Sequence, residues 1–194
     1  MNKALHRLIQ RYHFAQGEAY DRHAGRIFRS VYRRVAEDVA AAAPTGGAVL
    51  DAGCGTGQLA VEIARRRPDL HVRGVDLEPS MVDVATRRAE QEKVADRVEF
   101  TVADLADLPL PDDSVDLIFS TASLHHWTDV GAVIASLDRV LQPDGRTWIY
   151  DVRWVSSAGV RTASAGLGRR VDRDLVRTGW FPAALFQRLA IESA

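Results

Sequence analysis

Apolar residues recur at helical spacing through residues 3–43, most clearly at Ile27, Val31, Val35 and Val39, until Pro44-Thr45-Gly46-Gly47 ends the run. The spacing predicts two helices here, broken near Gly17 and Gly25. From residue 48 the period changes. Short apolar runs of strand length lie near 48–52, 72–76, 98–102, 115–121 and 146–152, and amphipathic runs of helix length near 57–67, 79–91 and 130–141. Gln142-Pro143-Asp144-Gly145 reads as a turn. Such alternation requires right-handed crossovers and predicts an α/β fold with a doubly wound, mainly parallel sheet, whose ligands lie beyond the carboxyl ends of the strands. After Val155 the pattern loses clarity. Residues 157–194 are rich in arginine, set Trp180, Phe181, Leu185, Phe186 and Leu189 on one apolar side, and read as turns and helices. The chain thus divides into an N-terminal helical lid (1–44), a ligand-binding core (45–155) and a C-terminal helical tail (156–194), one globular domain overall. The fifth strand would end the sheet, and unpaired strand edges invite pairing, so either the tail or a second subunit of a homodimer is expected to cover it.

The most abrupt break in the pattern is Ala48-Val-Leu-Asp-Ala-Gly-Cys-Gly-Thr-Gly-Gln58, where an apolar strand ends in Asp51 and runs straight into Gly53, Gly55 and Gly57. A turn of this kind lets backbone N–H groups approach a ligand closely, and a Cβ on the second glycine would strike it. The dinucleotide fingerprint Gly-x-Gly-x-x-Gly/Ala would need a small residue at Gln58, so the bulk there argues against NAD. Asp51 would repel a pyrophosphate and suits a cationic ligand such as S-adenosylmethionine. Asp76 ends the next strand roughly twenty residues on, where a carboxylate accepts both hydroxyls of a ribose; the alternative is a cap on the helix starting at Pro79.

Together with Gly74-Val-Asp-Leu-Glu-Pro-Ser-Met81, Val102-Ala-Asp-Leu-Ala-Asp-Leu-Pro109 and Val115-Asp-Leu-Ile-Phe-Ser-Thr-Ala-Ser-Leu-His-His-Trp127, this stretch resembles the ordered motifs of class I S-adenosylmethionine-dependent methyltransferases. The similarity is to the small-molecule type that includes ubiquinone and menaquinone biosynthesis enzymes, and it covers residues 45–152. The resemblance implies S-adenosyl-L-methionine as cofactor, a Rossmann-like fold of strand order 3-2-1-4-5, and a hairpin of strands 6 and 7 that this sequence leaves short or missing. It implies that Leu77 and Met81 border the adenine, with core packing equally open for Met81. Asp104 would bond the adenine amino group, Leu105 would offer a backbone N–H, and Ser120 would present a backbone carbonyl to the methionine amino group. Cys54 and Thr56 would act through their backbones. Tyr20 is similar to a tyrosine that closes over the cofactor in related enzymes, where a ring shields the sulfonium through a cation–π contact; packing between helices is the other reading.

His125 and His126 follow the fourth strand, where an acceptor would meet the methyl group. Either could serve as a base for an acceptor that holds its proton at neutral pH, or the pair could pack and hydrogen-bond in the loop. No Asn/Asp-Pro-Pro-Tyr/Phe follows that strand and no Pro-Cys nucleophile is present, which argues against methylation of nucleic acid. A net charge of −1 and a pI near 6.6 point the same way and give no attraction to anionic lipid. The basic positions Arg22, Arg26, Arg29, Arg33 and Arg34 read as a solvated helix face, with an anionic substrate group as the other reading. One cysteine, no secretory-type leader and no long apolar run fit a cytoplasmic protein, and no Cys/His spacing suggests a metal. The function expected is methyl transfer to a small organic acceptor. The alternative is a cofactor-binding regulatory protein without a working acceptor site, motivated by the short tail.

Overall fold

The computed structural model describes residues 17–177 and 185–193, with side chains described from Arg29 onward in the first helix. That helix, α1 (Gly17–Ala42), runs unbroken through Gly25, so within the described residues the expected break there is absent. One glycine costs a helix only about 1 kcal/mol. Packing of Val31, Val35, Ala36 and Val39 outweighs it, since all four are buried. Arg67 caps the far end of α1, its guanidinium donating to the carbonyls of Ala40 (2.6 Å) and Ala43 (3.1 Å), which the helix itself leaves unpaired.

There follow β1 (Ala48–Ala52), α2 (Gln58–Arg66), β2 (His71–Asp76), α3 (Pro79–Gln91), β3 (Val98–Val102), β4 (Val115–Thr121), α4 (Val130–Val140), β5 (Leu141–Val152), α5 (Ala158–Gly166), β6 (Arg169–Val176) and β7 (Phe186–Ser193). Pro79 opens α3, where its missing N–H costs nothing, and the Asp129 carboxylate caps α4 by accepting from the Ala132 N–H at 2.9 Å. The sheet order is β3-β2-β1-β4-β5-β7-β6, with the first five strands parallel and β7 antiparallel to both neighbours. Helices cover both faces, which is why the central strands are apolar at successive positions instead of alternate ones. Val49, Leu117 and Phe119 join α1 and α2 in one core, while Leu50 and Ile118 face α4 in another.

The C-terminal part corrects the sequence reading. Among the described residues of the expected helical tail only α5 is a helix, and strands 6 and 7 are present at eight residues each. β7 is flanked on both sides and is nearly continuous in burial, so it lacks the alternation by which a strand is recognised. β6 is the outer edge: Val171 and Val176 are buried, and between them stand Asp172, Arg173 and Asp174. Charges of this sort blunt an edge against further pairing. The β5 edge is taken by β7, so the ground for a homodimer at that edge is removed. Gln142–Gly145 is likewise no separate turn; it lies inside the span of β5, where the register against β4 shifts between Val115 and Leu117. Trp180 and Phe181 lie outside the described residues.

A buried network fastens α1 to this half of the sheet. Tyr150 on β5, fully buried, donates its hydroxyl to Asp38 on α1 at 2.9 Å, and Arg188 on β7 approaches the same carboxylate at 3.9 Å while pairing with Asp174 at 2.8 Å. Burial and the Asp38 charge push the Tyr150 phenol pKa upward, so it stays a donor across the ordinary pH range.

Candidate functional site

The carboxyl ends of β1 to β4 open into one cleft of about 660 Å³, at the point where the strand order reverses between β1 and β4. The glycine turn forms its floor. The N–H groups of Gly53 and Cys54 both donate to the Val75 carbonyl (2.8 and 3.0 Å), which hangs the turn on the end of β2. The three glycines do different work. At Gly53 a Cβ would fall 2.3 Å from the Ser123 hydroxyl, and at Gly57 it would fall 2.6 Å from the Phe100 ring. At Gly55, with φ +53°, a Cβ would meet nothing within 4 Å and would point into the open cleft. The expected collision with a ligand belongs to Gly55; Gly57 does not line the cleft and serves close packing of α2 against β3.

Two carboxylates dominate the floor. Asp51 is 2% exposed, and burial together with the nearby Asp76 charge raises its pKa well above the ordinary aspartate value, opposed by a hydrogen bond from the Ala60 backbone. Such a group is best satisfied by a cation. Asp76 accepts from the Gly55 N–H at 2.8 Å through one oxygen and from the Glu78 N–H at 3.0 Å through the other. It therefore braces the turn while lining the cleft, and each oxygen keeps further acceptor capacity. Asp76 is not itself the cap of α3, a position held by Glu78 without a side-chain cap, but by accepting the Glu78 N–H it also orders the entry to that helix.

The walls gather most of the remaining expected residues. Leu77, Met81, Asp104 and Leu105 line one side, and Leu77 is 69% exposed although apolar. Asp104 accepts from the Ala106 N–H at 2.9 Å, which orders its loop. Thr56 and Cys54 line the floor. Burial, then Asp51 and Asp76, push the Cys54 thiol pKa up, which rules against a thiolate nucleophile there. Ser120 is fully buried below the cleft, and Thr121, Ala122 and Ser123 reach it instead. The side chain of Tyr20 lies outside the described residues; Tyr32, further along α1, lines the cleft.

The two histidines part company. His126 lines the cleft; His125 turns away, its Nδ1 3.0 Å from Asp151 Oδ2 and its backbone N–H donating to the same oxygen at 3.2 Å. The rings lie 4.1 Å apart at 45°. Asp151, 1% exposed near the end of β5, also accepts from the Val152 N–H at 2.7 Å. Sequence reading passed over it, although an acidic residue closing an apolar run at Tyr150-Asp151-Val152 is the signal that singled out Asp51 and Asp76. Two features of the stretch around the histidines were likewise not legible: Ala122 sits at φ +56°, a strained value for a residue with a side chain, and the Trp127 indole N–H donates to the Ser123 hydroxyl at 2.9 Å.

The cleft thus brings together the buried Asp51 carboxylate, the Asp76 carboxylate and apolar flanks. Comparison with known proteins agrees. A model of the methyltransferase domain matches residues 49–145, half of the chain. The chain belongs to the class I S-adenosylmethionine-dependent methyltransferases. It is 38% identical over 131 residues to a 27-O-demethylrifamycin SV methyltransferase of Amycolatopsis mediterranei, a match covering 68% of this chain and 48% of that protein. The chain spans about half the length of the curated relatives it matches. Among solved structures it is similar to a Methanococcus maripaludis protein assigned to the S-adenosyl-L-methionine-dependent methyltransferases, with TM-score 0.78 and 20% identity over 92% of both chains. It is also similar to the geranyl diphosphate C-methyltransferase of Streptomyces coelicolor A3(2), solved with S-adenosyl-L-homocysteine, with TM-score 0.67 and 18% identity over 84% of this chain and 78% of that one. At such identities the likeness concerns the fold. Among the described residues no helix of this chain is long and apolar enough to cross a membrane.

Proposed function

We propose that this methyltransferase delivers a methyl group to a small organic acceptor seated in the cleft between the glycine turn and the His125–Trp127 loop. The observation that carries the reading is the buried Asp51 under the opening left by Gly55, with Asp76 across the turn. In this reading Asp51 supplies the negative potential for the methionine end of S-adenosylmethionine, Asp76 accepts the ribose hydroxyls, and Asp104 with the Leu105 N–H meets the adenine edge between Leu77 and Met81. When bound, the cofactor would supply a sulfonium methyl group, to whose carbon a lone pair on the acceptor bonds as the C–S bond breaks in line and the neutral thioether departs. Alignment alone contributes several kcal/mol to such a reaction.

His126 is the cleft-facing histidine and takes a proton from an acceptor that still carries one; an acceptor without one needs alignment only. Asp151 holds His125, and through the tilted ring contact and the Ser123–Trp127 bond the loop keeps His126 in place. Asp151 and His125 are positioning residues.

Isothermal titration with S-adenosylmethionine and S-adenosylhomocysteine, then a methyl-transfer assay over oxygen, nitrogen, carbon and sulfur acceptors, tests the proposal. Binding of both with transfer to one acceptor class is the expected result, and no binding to either removes the reading. The alternative of a cofactor-binding protein without an acceptor site was motivated by a tail lacking the hairpin. β6 and β7 supply it, and that motive falls.

A further inference from the structure

A buried polar row crosses the sheet near the end of β5, apart from the glycine turn and its carboxylates. Gln187 on β7 stands directly opposite Asp151 on β5 in the antiparallel ladder, so the two side chains leave the sheet on one face, and both are buried. Alternation sets Gln187 on the same face as Leu189 and Ile191, which belong to an apolar cluster. A primary amide in such a place costs stability unless its hydrogen bonds are made.

They are made, and on one short segment. Between β5 and α5 the chain turns a corner over residues 153–157. Gln187 Nε2 donates to the Val155 carbonyl at 2.8 Å and lies 3.5 Å from the Val152 carbonyl, while Oε1 accepts from Arg173 Nε on β6 at 2.6 Å. Another arm of that guanidinium donates to the Arg153 carbonyl at 2.8 Å, and the Arg153 N–H donates to the Leu185 carbonyl at 2.9 Å. Only one setting of the amide serves, with nitrogen toward the carbonyls and oxygen toward the guanidinium, and no methionine or glutamate of similar length offers both. Asp151 lies just ahead of this corner. Its carboxylate holds Nδ1 and the backbone N–H of His125, whose ring is 4.1 Å from that of the cleft-lining His126.

We propose that Gln187 and Arg173 are positioning residues for methyl transfer: from the hairpin they fix the corner after β5, with it the Asp151 carboxylate, and through His125 the orientation of His126. The row thus runs from the outer edge strand to the cleft. The part played by His126 rests on the methyl-transfer reading, whereas the hold on His125 does not.

A carboxylate only accepts, so His125 carries its hydrogen on Nδ1. Long-range proton–nitrogen correlation spectra of the full chain labelled with [15N]histidine read that tautomer without acceptor or cofactor, the His125 signals being assigned by their loss in His125→Asn. The parent should show the Nδ1–H form. In Gln187→Met and in Arg173→Gln that form should lose population or split into exchanging signals, an effect that a lower melting temperature alone does not produce. Arg173 is exposed, so its variant decides the matter should Gln187→Met fail to unfold cooperatively. A parent without the Nδ1–H form, or a His125 spectrum unchanged in the folded variants, overturns the proposal. Once an acceptor is in hand, kcat in the variants should fall about tenfold with the KM for S-adenosylmethionine unmoved. An unchanged kcat overturns the positioning role. If no acceptor is methylated by the parent, the methyl-transfer reading fails while the His125 spectra still decide whether the hairpin holds that residue.

Discussion

At the scale of single residues, Asp51 is a carboxylate whose charged form is penalised by burial and by the nearby Asp76. Its folded pKa lies above the unfolded value near 3.9, so the folded state binds more protons than the unfolded one above that pH, and stability falls as pH rises through the folded pKa. Asp51→Asn keeps an acceptor for the Ala60 N–H and removes the charge. The variant should match the parent below about pH 4 and melt higher above it, each 1 kcal/mol appearing as about 2–4 °C in a domain of this size. Calorimetric titration should show the opposite effect on S-adenosylmethionine, a loss of tenfold or more. Scanning calorimetry from pH 4 to 8 checks the first; a parent that melts higher than the variant throughout contradicts the burial argument. The glycines give a second contrast. Gly57→Ala forces a Cβ to 2.6 Å from Phe100 at φ +70° and should cost about 1–3 kcal/mol of stability. Gly55→Ala should cost about 1 kcal/mol from its left-handed backbone, while its greater effect falls on cofactor affinity.

At the scale of elements, the hairpin is an integral part of the sheet. Leu189 on β7 is fully buried between α5 and the sheet, while Leu175 on β6 is 50% exposed. Leu189→Ala should therefore lose about 2–5 kcal/mol and Leu175→Ala within about 0.5 kcal/mol, measured by urea unfolding. Equal effects would mean that β7 is not held as described. Cross-strand pairs fix the register, with Arg173 donating to Gln187 at 2.6 Å and Arg188 to Asp174 at 2.8 Å. These bonds explain a sequence that looks wrong for a strand. Arg169-Arg-Val-Asp-Arg-Asp-Leu-Val176 has charges at edge positions, where solvent and cross-strand partners satisfy them.

At the scale of the whole molecule, binding and folding are linked, since a ligand that fits only the assembled cleft stabilises the native state by RT ln(1 + [L]/Kd). At a hundredfold excess over Kd this is about 2.7 kcal/mol, or roughly 5–11 °C in Tm. S-adenosylhomocysteine should produce that shift in the parent and much less in Asp76→Asn, which weakens the brace on Gly55 and, in the proposed seating, loses acceptor strength toward the ribose. An undiminished shift in the variant would remove Asp76 from the cofactor site. The sequence by itself determined the parallel core, the order of its elements from residue 48 to 140, and the acidic strand ends around the glycine turn, because periodicity, turn chemistry and spacing are local properties. Only the tertiary structure decided that α1 runs through Gly25, that the tail closes the sheet as β6 and β7, and that His126 and not His125 faces the cleft. Each of those depends on partners distant in sequence: the strands against which α1 packs, the β5 edge awaiting β7, and Asp151 reaching back to His125 across 26 residues. No window of the chain contains both halves of such a contact, and the energy of burying or pairing it exceeds the local preference it overrides.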